Sequence, residues 1–146
     1  MVDVSAKAPS LRTATARARI ELTAEVRARL LAGTLPKGEA LAVARVAGIQ
    51  AAKDTSRLIP LCHTLALDSV EIGFAPLGEA SVEVTATARC RGATGVEMEA
   101  LTAVAVAALT LYDMAKAACR GARITCVELV HKAGGRSGEW RREDGA

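Results

Sequence analysis

The sequence predicts an α+β sandwich, one antiparallel sheet with helices on one of its faces, and three observations predict it. Residues 13–22 and 81–90 alternate strictly between apolar and polar side chains, the period-two signature of strands that bury one face. Residues 39–52 and 96–120 are rich in alanine and carry apolar residues at helical spacing. The order is strand, two helices, two strands, helix, strand, which is the βαββαβ order of a ferredoxin-like sandwich. With 146 residues, 51% of them hydrophobic, the chain fits a single domain with a real core, followed by a glycine-rich, charged tail.

The first strand sets Ala14, Ala16, Ala18, Ile20 and Leu22 against Thr13, Thr15, Arg17, Arg19 and Glu21. Thr23 is placed to N-cap a short helix through Leu31, with Gly33 as its C-terminal stop. The segment Pro36-Lys37-Gly38 breaks the chain. A second helix runs from Glu39 to about Ala52 despite Gly48, and Lys53, Asp54 and Thr55 end it. A loop, residues 56–64, holds Pro60 and Leu61-Cys62-His63. Residues 67–74 form a strand with Val70, Ile72 and Phe74 on one face, and Pro76-Leu77-Gly78 turns the chain into residues 81–90, giving a hairpin. Thr94 and Glu97 have capping-box spacing at the start of the longest helix, expected over residues 96–120 with Gly121 as its stop. A last strand follows over residues 124–130. The longest helix is apolar on nearly all sides: Leu101, Val104, Ala108 and Leu111 make one stripe, and Met98, Thr102, Val106 and Leu109 another. Such a helix has to be covered all round, which predicts a homo-oligomer.

Composition narrows the function. A formal charge of +3 suits a small anion better than a long polyanion. The only aromatics, Phe74, Tyr112 and Trp140, give the strand at residues 81–90 no platform for stacking bases, which argues against nucleic acid as a partner. Cys62, Cys90, Cys119 and Cys126 are scattered, with only His63 and His131 to join them, so neither a metal site nor a disulfide framework is expected. Free thiols fit a reducing, cytoplasmic setting. Met1 to Pro9 has no apolar core of a secretory signal, and the uncharged stretch at residues 100–112 is too short to span a bilayer.

Four basic residues stand beside breaks in regular structure: Lys37, Lys53, Lys132 and Arg136. The last two bracket Lys-Ala-Gly-Gly-Arg-Ser-Gly, where glycines let backbone N–H groups approach an anion. A flexible turn is the competing reading of that string. Asp113 and Lys116, three apart, share one helix face and form either a surface ion pair or an acid–base pair. Glu97 and Glu99 point to different sides of a helix; one carboxylate could hold the amidine edge of a guanine-like ring through two hydrogen bonds. His63 is a titratable ring in a loop. Together these residues point to an enzyme acting on a small, phosphate-bearing, nucleotide-like substrate.

Longer strings carry a resemblance. Met-Val-Asp-Val-Ser-Ala-Lys at residues 1–7, Ala-Arg-Val-Ala-Gly-Ile-Gln-Ala-Ala-Lys at 44–53, Leu-Ile-Pro-Leu-Cys-His at 58–63, Thr-Gly-Val-Glu-Met-Glu-Ala-Leu-Thr at 94–102 and Leu-Tyr-Asp-Met-Ala-Lys at 111–116 closely resemble the MoaC family, the cyclic pyranopterin monophosphate synthases of molybdenum cofactor biosynthesis. The resemblance covers nearly the whole chain in order. It implies a ferredoxin-like subunit in a hexamer, a trimer of dimers with sites at dimer interfaces. It implies rearrangement of 3′,8-cyclo-7,8-dihydroguanosine 5′-triphosphate to cyclic pyranopterin monophosphate with loss of pyrophosphate. No cofactor is required, and Mg²⁺ could accompany the triphosphate. Carried over by motif, the site holds Arg12, Lys37, Lys53, Cys62, His63, Glu97, Met98, Glu99, Asp113, Lys116 and Lys132, with Arg136 beside them. The chemistry then suggests roles. Lys116, positioned by Asp113 and with its pKa lowered by surrounding cations, moves protons. Lys37, Lys132, Arg12 and Arg136 stabilise charge growing at the phosphates. Glu97 or Glu99 holds the ring, and His63 assists proton transfer or binds phosphate.

Thr64 stands where many relatives have proline, Ala115 where a cysteine is common, and Arg136 where a lysine is common. The sequence starts directly at Met-Val-Asp-Val-Ser, without the short leader of many relatives. Two other readings remain at this stage: a nucleotide-sensing module that turns nothing over, and a family member that has lost activity.

Overall fold

The computed structural model describes residues 1–143; the last three residues of the charged tail lie outside the described residues. The elements are β1 (Ser10–Glu21), α1 (Ala24–Leu31), α2 (Ala40–Lys53), the single turn α3 (Thr55–Leu58), β2 (Leu67–Leu77), β3 (Ser81–Gly92), α4 (Glu97–Ala115), β4 (Arg123–Ala133) and β5 (Trp140–Arg141). The strands form one antiparallel sheet in the order β2-β3-β1-β4-β5. Its first four strands have ferredoxin-like connectivity, with β3 inserted between β1 and β2 and β4 on the far side of β1.

The period-two strings decide the faces. Ala14, Ala16, Ala18 and Ile20 of β1 and Val82, Val84, Ala86, Ala88 and Cys90 of β3 are fully buried under the helices. Their polar neighbours form a layer of cross-strand pairs on the other face, including Arg17–Glu128 at 2.7 Å, Arg19–Glu83 at 3.2 Å and the Thr15–Thr87 hydroxyl pair at 2.9 Å. Thr23 caps α1 by accepting from the Val26 N–H at 3.2 Å, and Gly33 follows in the left-handed region with φ +69°.

Gly48 has a positive use. A Cβ there would stand 2.9 Å from the Ala103 carbonyl oxygen and 2.7 Å from Ile72 Cδ1. Its absence lets α2 cross close over α4. The two helices run antiparallel, since Lys37 just before α2 meets Asp113 at the far end of α4. α4 buries Ala100, Ala103, Val104, Ala107, Ala108, Leu111 and Ala115 completely, but Leu109 is 57% exposed, and Val43 and Val46 of α2 are exposed as well. The second apolar stripe of α4 is therefore covered in part only. By length and hydropathy α4 would pass as a membrane span; here it is the central core helix.

Four expectations need correction. α4 ends at Ala115, not Arg120, because the chain turns back to bury Cys119 and Ala122, with the Cys119 N–H bonded to the Ala115 carbonyl and that of Ala122 to Cys119. The capping box does not form: Val96 is the N-cap and makes no side-chain cap bond, while Glu97 is drawn to Lys132 instead. Pro76 and Leu77 belong to β2, and the turn falls on residues 78–80, with Gly78 at φ +57°. The tail contains a strand, β5.

Candidate active site

The predicted site residues gather at the two ends of α4. At its N-terminal end a cleft of about 630 Å³ opens between the segment before β1, the turn before α4 and the loop after β4, within the range of small-molecule sites. Lys7, Arg12, Lys132 and Arg136 line it, against the single carboxylate Glu97. Arg12 is braced from behind, its Nε donating to the Gly92 carbonyl at 3.3 Å and Nη2 to that of Ala93 at 3.4 Å. Lys132 donates to Glu97 at 3.1 Å. Lys7, Arg12 and Arg136 have no carboxylate partner among the described residues. Ser10 also lines the cleft, and its buried Oγ has no hydrogen-bond partner among the described residues; such a group calls for a polar ligand.

The floor of this cleft depends on glycine. A Cβ on Gly95 would fall on the Glu97 carboxylate, and one on Gly134 would fall on the Leu11 carbonyl oxygen. Gly134, moreover, has φ +104°, open to glycine alone at little cost.

The cleft continues, past shared residues Lys7, Thr94, Gly95 and Glu97, into a second groove of about 440 Å³ lined by Cys62, His63, Leu65, Met98 and Glu99. Glu99 is only 4% exposed. Burial raises its carboxyl above the ordinary value, and neighbouring Glu97 adds to this. Burial likewise raises the Cys62 thiol, with Glu99 contributing. Although Glu97 and Glu99 leave the helix in different directions, both reach this groove. The arrangement is an anion seat adjoining a narrower, partly apolar slot floored by a buried carboxyl, which suits a heterocycle bearing phosphates. Thr64 ties the His63 loop to α3, its hydroxyl donating to Ser56 Oγ at 3.1 Å. Lys53 is exposed at the end of α2 that lies toward the start of α4, but it lines neither space.

At the other end of α4, Asp113 binds two ammonium groups, Lys37 Nζ at 2.5 Å and Lys116 Nζ at 2.6 Å. Hydrogen bonds from Lys116 and Lys37 hold its carboxyl down at about 2. The same pair raises the Lys116 pKa, the reverse of the lowering expected from cationic neighbours, because the nearest charge is a carboxylate. Glu97 and Asp113 are sixteen residues apart in one helix, roughly 24 Å at 1.5 Å per residue. Within one chain, therefore, Lys37 does not join the cations of the cleft, and His63 does not cluster with Asp113 and Lys116. Sequence reasoning also passed over Lys7 and Ser10 as site residues. The break in alternation before β1 was the available signal for both. Among the described residues no group of three or more His, Cys, Asp or Glu side chains is disposed to hold a metal.

Comparison with known proteins identifies the family. A family model described as the MoaC family matches residues 1–135. Cyclic pyranopterin monophosphate synthase 2 of Mycobacterium tuberculosis is 57% identical over 97% of this chain and 84% of its own. The cyclic pyranopterin monophosphate synthases of Chloroflexus aurantiacus and Desulfitobacterium hafniense are 54% and 51% identical, over 97% and 99% of this chain and 88% of each of theirs. Matched along nearly its whole length by both kinds of comparison, the chain belongs to the MoaC family.

Proposed function

We propose that this protein is a cyclic pyranopterin monophosphate synthase of molybdenum cofactor biosynthesis, converting 3′,8-cyclo-7,8-dihydroguanosine 5′-triphosphate to cyclic pyranopterin monophosphate and pyrophosphate. The observation that carries the reading is the continuous cleft at the start of α4, four cations at one end and buried Glu99 at the other, in a chain 51–57% identical to relatives bearing that name.

In this reading the triphosphate lies along Lys7, Arg12, Lys132 and Arg136, and the ring enters the slot of Cys62, His63, Met98 and Glu99. Burial favours the neutral form of the Glu99 carboxyl, and in that form a carboxyl can both donate to and accept from a guanine-like edge. A substrate hydroxyl attacks the α-phosphorus, a P–O bond forms to close the cyclic phosphate, and the bond to pyrophosphate breaks. The cations stabilise the charge that accumulates on the leaving group. Lys116 enters as an ammonium acid, since Asp113 keeps it protonated, and Lys37 shares the same carboxylate. Mg²⁺, if it takes part, arrives with the triphosphate as a component of the substrate.

The separation of the two ends of α4 calls for a second copy: the Lys37–Asp113–Lys116 group of one protomer meets the cleft of another, as in a hexamer built from dimers. Exposed Val43 and Val46 of α2 and Leu109 of α4 supply apolar surface for association. Four unpaired thiols fit a reducing, cytoplasmic setting.

The test is turnover. Purified protein incubated with the cyclic nucleotide triphosphate is expected to release pyrophosphate and cyclic pyranopterin monophosphate together, and Lys116→Ala is expected to abolish both. A folded oligomer that binds the substrate and yields neither product is a binding module, and the proposal is then wrong.

A further inference from the structure

The family match stops at residue 135, yet the chain continues and turns back on itself. In β5, Trp140 pairs with Lys132 and Arg141 with His131. The Arg142 backbone N–H donates to the Val130 carbonyl at 2.9 Å, its Nε donates to the Leu129 carbonyl at 2.8 Å and lies 3.4 Å from Glu128. Its guanidinium also stacks over the Trp140 ring at 5.6 Å. Glu139 Oε1 meets His131 Nε2 at 2.9 Å and Arg141 at 2.7 Å. A two-residue strand has too short a ladder to dock alone, so these side chains carry the docking.

The strap they form closes off residues 134–138. Gly134, Gly135 and Gly138 all have positive φ, at 104°, 73° and 66°. Glycine has the most backbone freedom to lose, so a loop of this kind keeps one shape only if both its ends are fixed. One end is β4, and the other is the strap. Gly134, Gly135, Arg136 and Ser137 line the anion cleft.

We propose that residues 139–142 are a positioning element for the active site: by clasping β4 through Glu139 and Arg142 they hold the glycine loop in place and keep Arg136 at the anionic end of the substrate. The proposal rests on the reading of the cleft as the seat of the triphosphate. Glu139 acts through Arg136 and makes no contact with substrate itself.

The experiment compares the full chain with Glu139→Gln, Arg136→Gln and the double variant. Trp140 is the only tryptophan and lies in the strap, so its emission and its quenching by acrylamide report docking without any turnover. Binding of inorganic pyrophosphate, measured by calorimetry, reports the cleft, and substrate KM and kcat report the reaction. Glu139→Gln is expected to expose Trp140 to quencher and to weaken pyrophosphate binding and raise KM about tenfold, with kcat changing much less, as lost preorganisation requires. In the Arg136→Gln background the same change is expected to add less than about twofold, because the two act in series. If Trp140 stays docked in Glu139→Gln, Arg142→Gln is added to free it. An undocked strap with unaltered pyrophosphate affinity overturns the proposal, as does an effect of equal size with Arg136 already removed. Strap-dependent pyrophosphate binding in a chain that turns over no substrate leaves the proposal standing and removes the proposed function instead.

Discussion

Gly135 lies against the guanidinium of Arg12 so closely that Arg12 Nη1 already occupies the place a Cβ would take. With φ at +73°, Gly135→Ala is strained twice over, by the backbone and by the arginine it displaces. It is expected to push Arg12 off the Gly92 and Ala93 carbonyls and raise substrate KM about tenfold, since an arginine held in place binds phosphate better than one that must be ordered. The loop is exposed, so the melting temperature is expected to move little. Steady-state kinetics beside a thermal melt check both halves.

Arg12 and Lys116 sit at opposite ends of α4, so a shared site made from two protomers has a distinctive consequence. Arg12→Ala and Lys116→Ala are each expected to be inactive alone. Mixed and reassembled in equal amounts, they are expected to recover about a quarter of wild-type activity, because half the dimers are mixed and each of those has one intact site. Activity that stays at the sum of the two parents sinks the two-protomer site.

Asp113 predicts a pH signature. Its carboxyl is held near 2, below the ordinary 3.8, so its ion pair with Lys116 persists at neutral pH and is lost only as pH falls through that acid window. Lys116 is raised above the ordinary 10.5, so an acid role gives activity that falls only at strongly alkaline pH. Asp113→Asn is expected to move that alkaline limb of kcat/KM to lower pH and to lower kcat at least about a hundredfold. A limb that rises with pH makes Lys116 a base.

Glu99 links the site to stability. Its pKa is raised in the folded state from the ordinary 4.5, so the native state binds more protons above that value and stability falls as pH climbs through the window. Glu99→Gln removes that penalty. At pH 8 the variant is expected to melt higher, while losing most of its activity. Melts at pH 5 and pH 8 check the sign: the gain is expected to shrink at the lower pH.

The strands were legible because they rest on local patterns, whereas Arg12, Cys62 and Met98 entered the expected site only through the family resemblance. Strict alternation in β1 and β3 survives folding, since a slip of one residue would turn every alanine outward. Thr23 and Gly33 act within a turn of their own helix. What escaped depends on distant partners. Thr94 and Glu97 have capping-box spacing, but Lys132, 35 residues on, takes the carboxylate. Nothing after Ala115 breaks a helix before Gly121; the chain leaves it because Cys119 and Ala122 have a core to enter. β5 is two residues long, below any periodicity. The distance between Glu97 and Asp113 was within reach of the sequence, since sixteen residues on one helix have a definite length; motif strings, read one after another, do not measure it.

Alanine fills much of the core: Ala14, Ala16, Ala18, Ala86 and Ala88 of the sheet and Ala100, Ala103, Ala107 and Ala108 of α4 are all at 0% exposure. A side chain without rotamers loses no torsional freedom when it is enclosed, and so much of this interior orders with little motional penalty beyond the backbone. The same choice removes any slack. Large cores usually fail by hollowing out, whereas at these positions almost every replacement is an enlargement that must drive two layers apart. Random mutagenesis of this interface should therefore give a lopsided spectrum in which glycine is often survivable and valine or leucine rarely is.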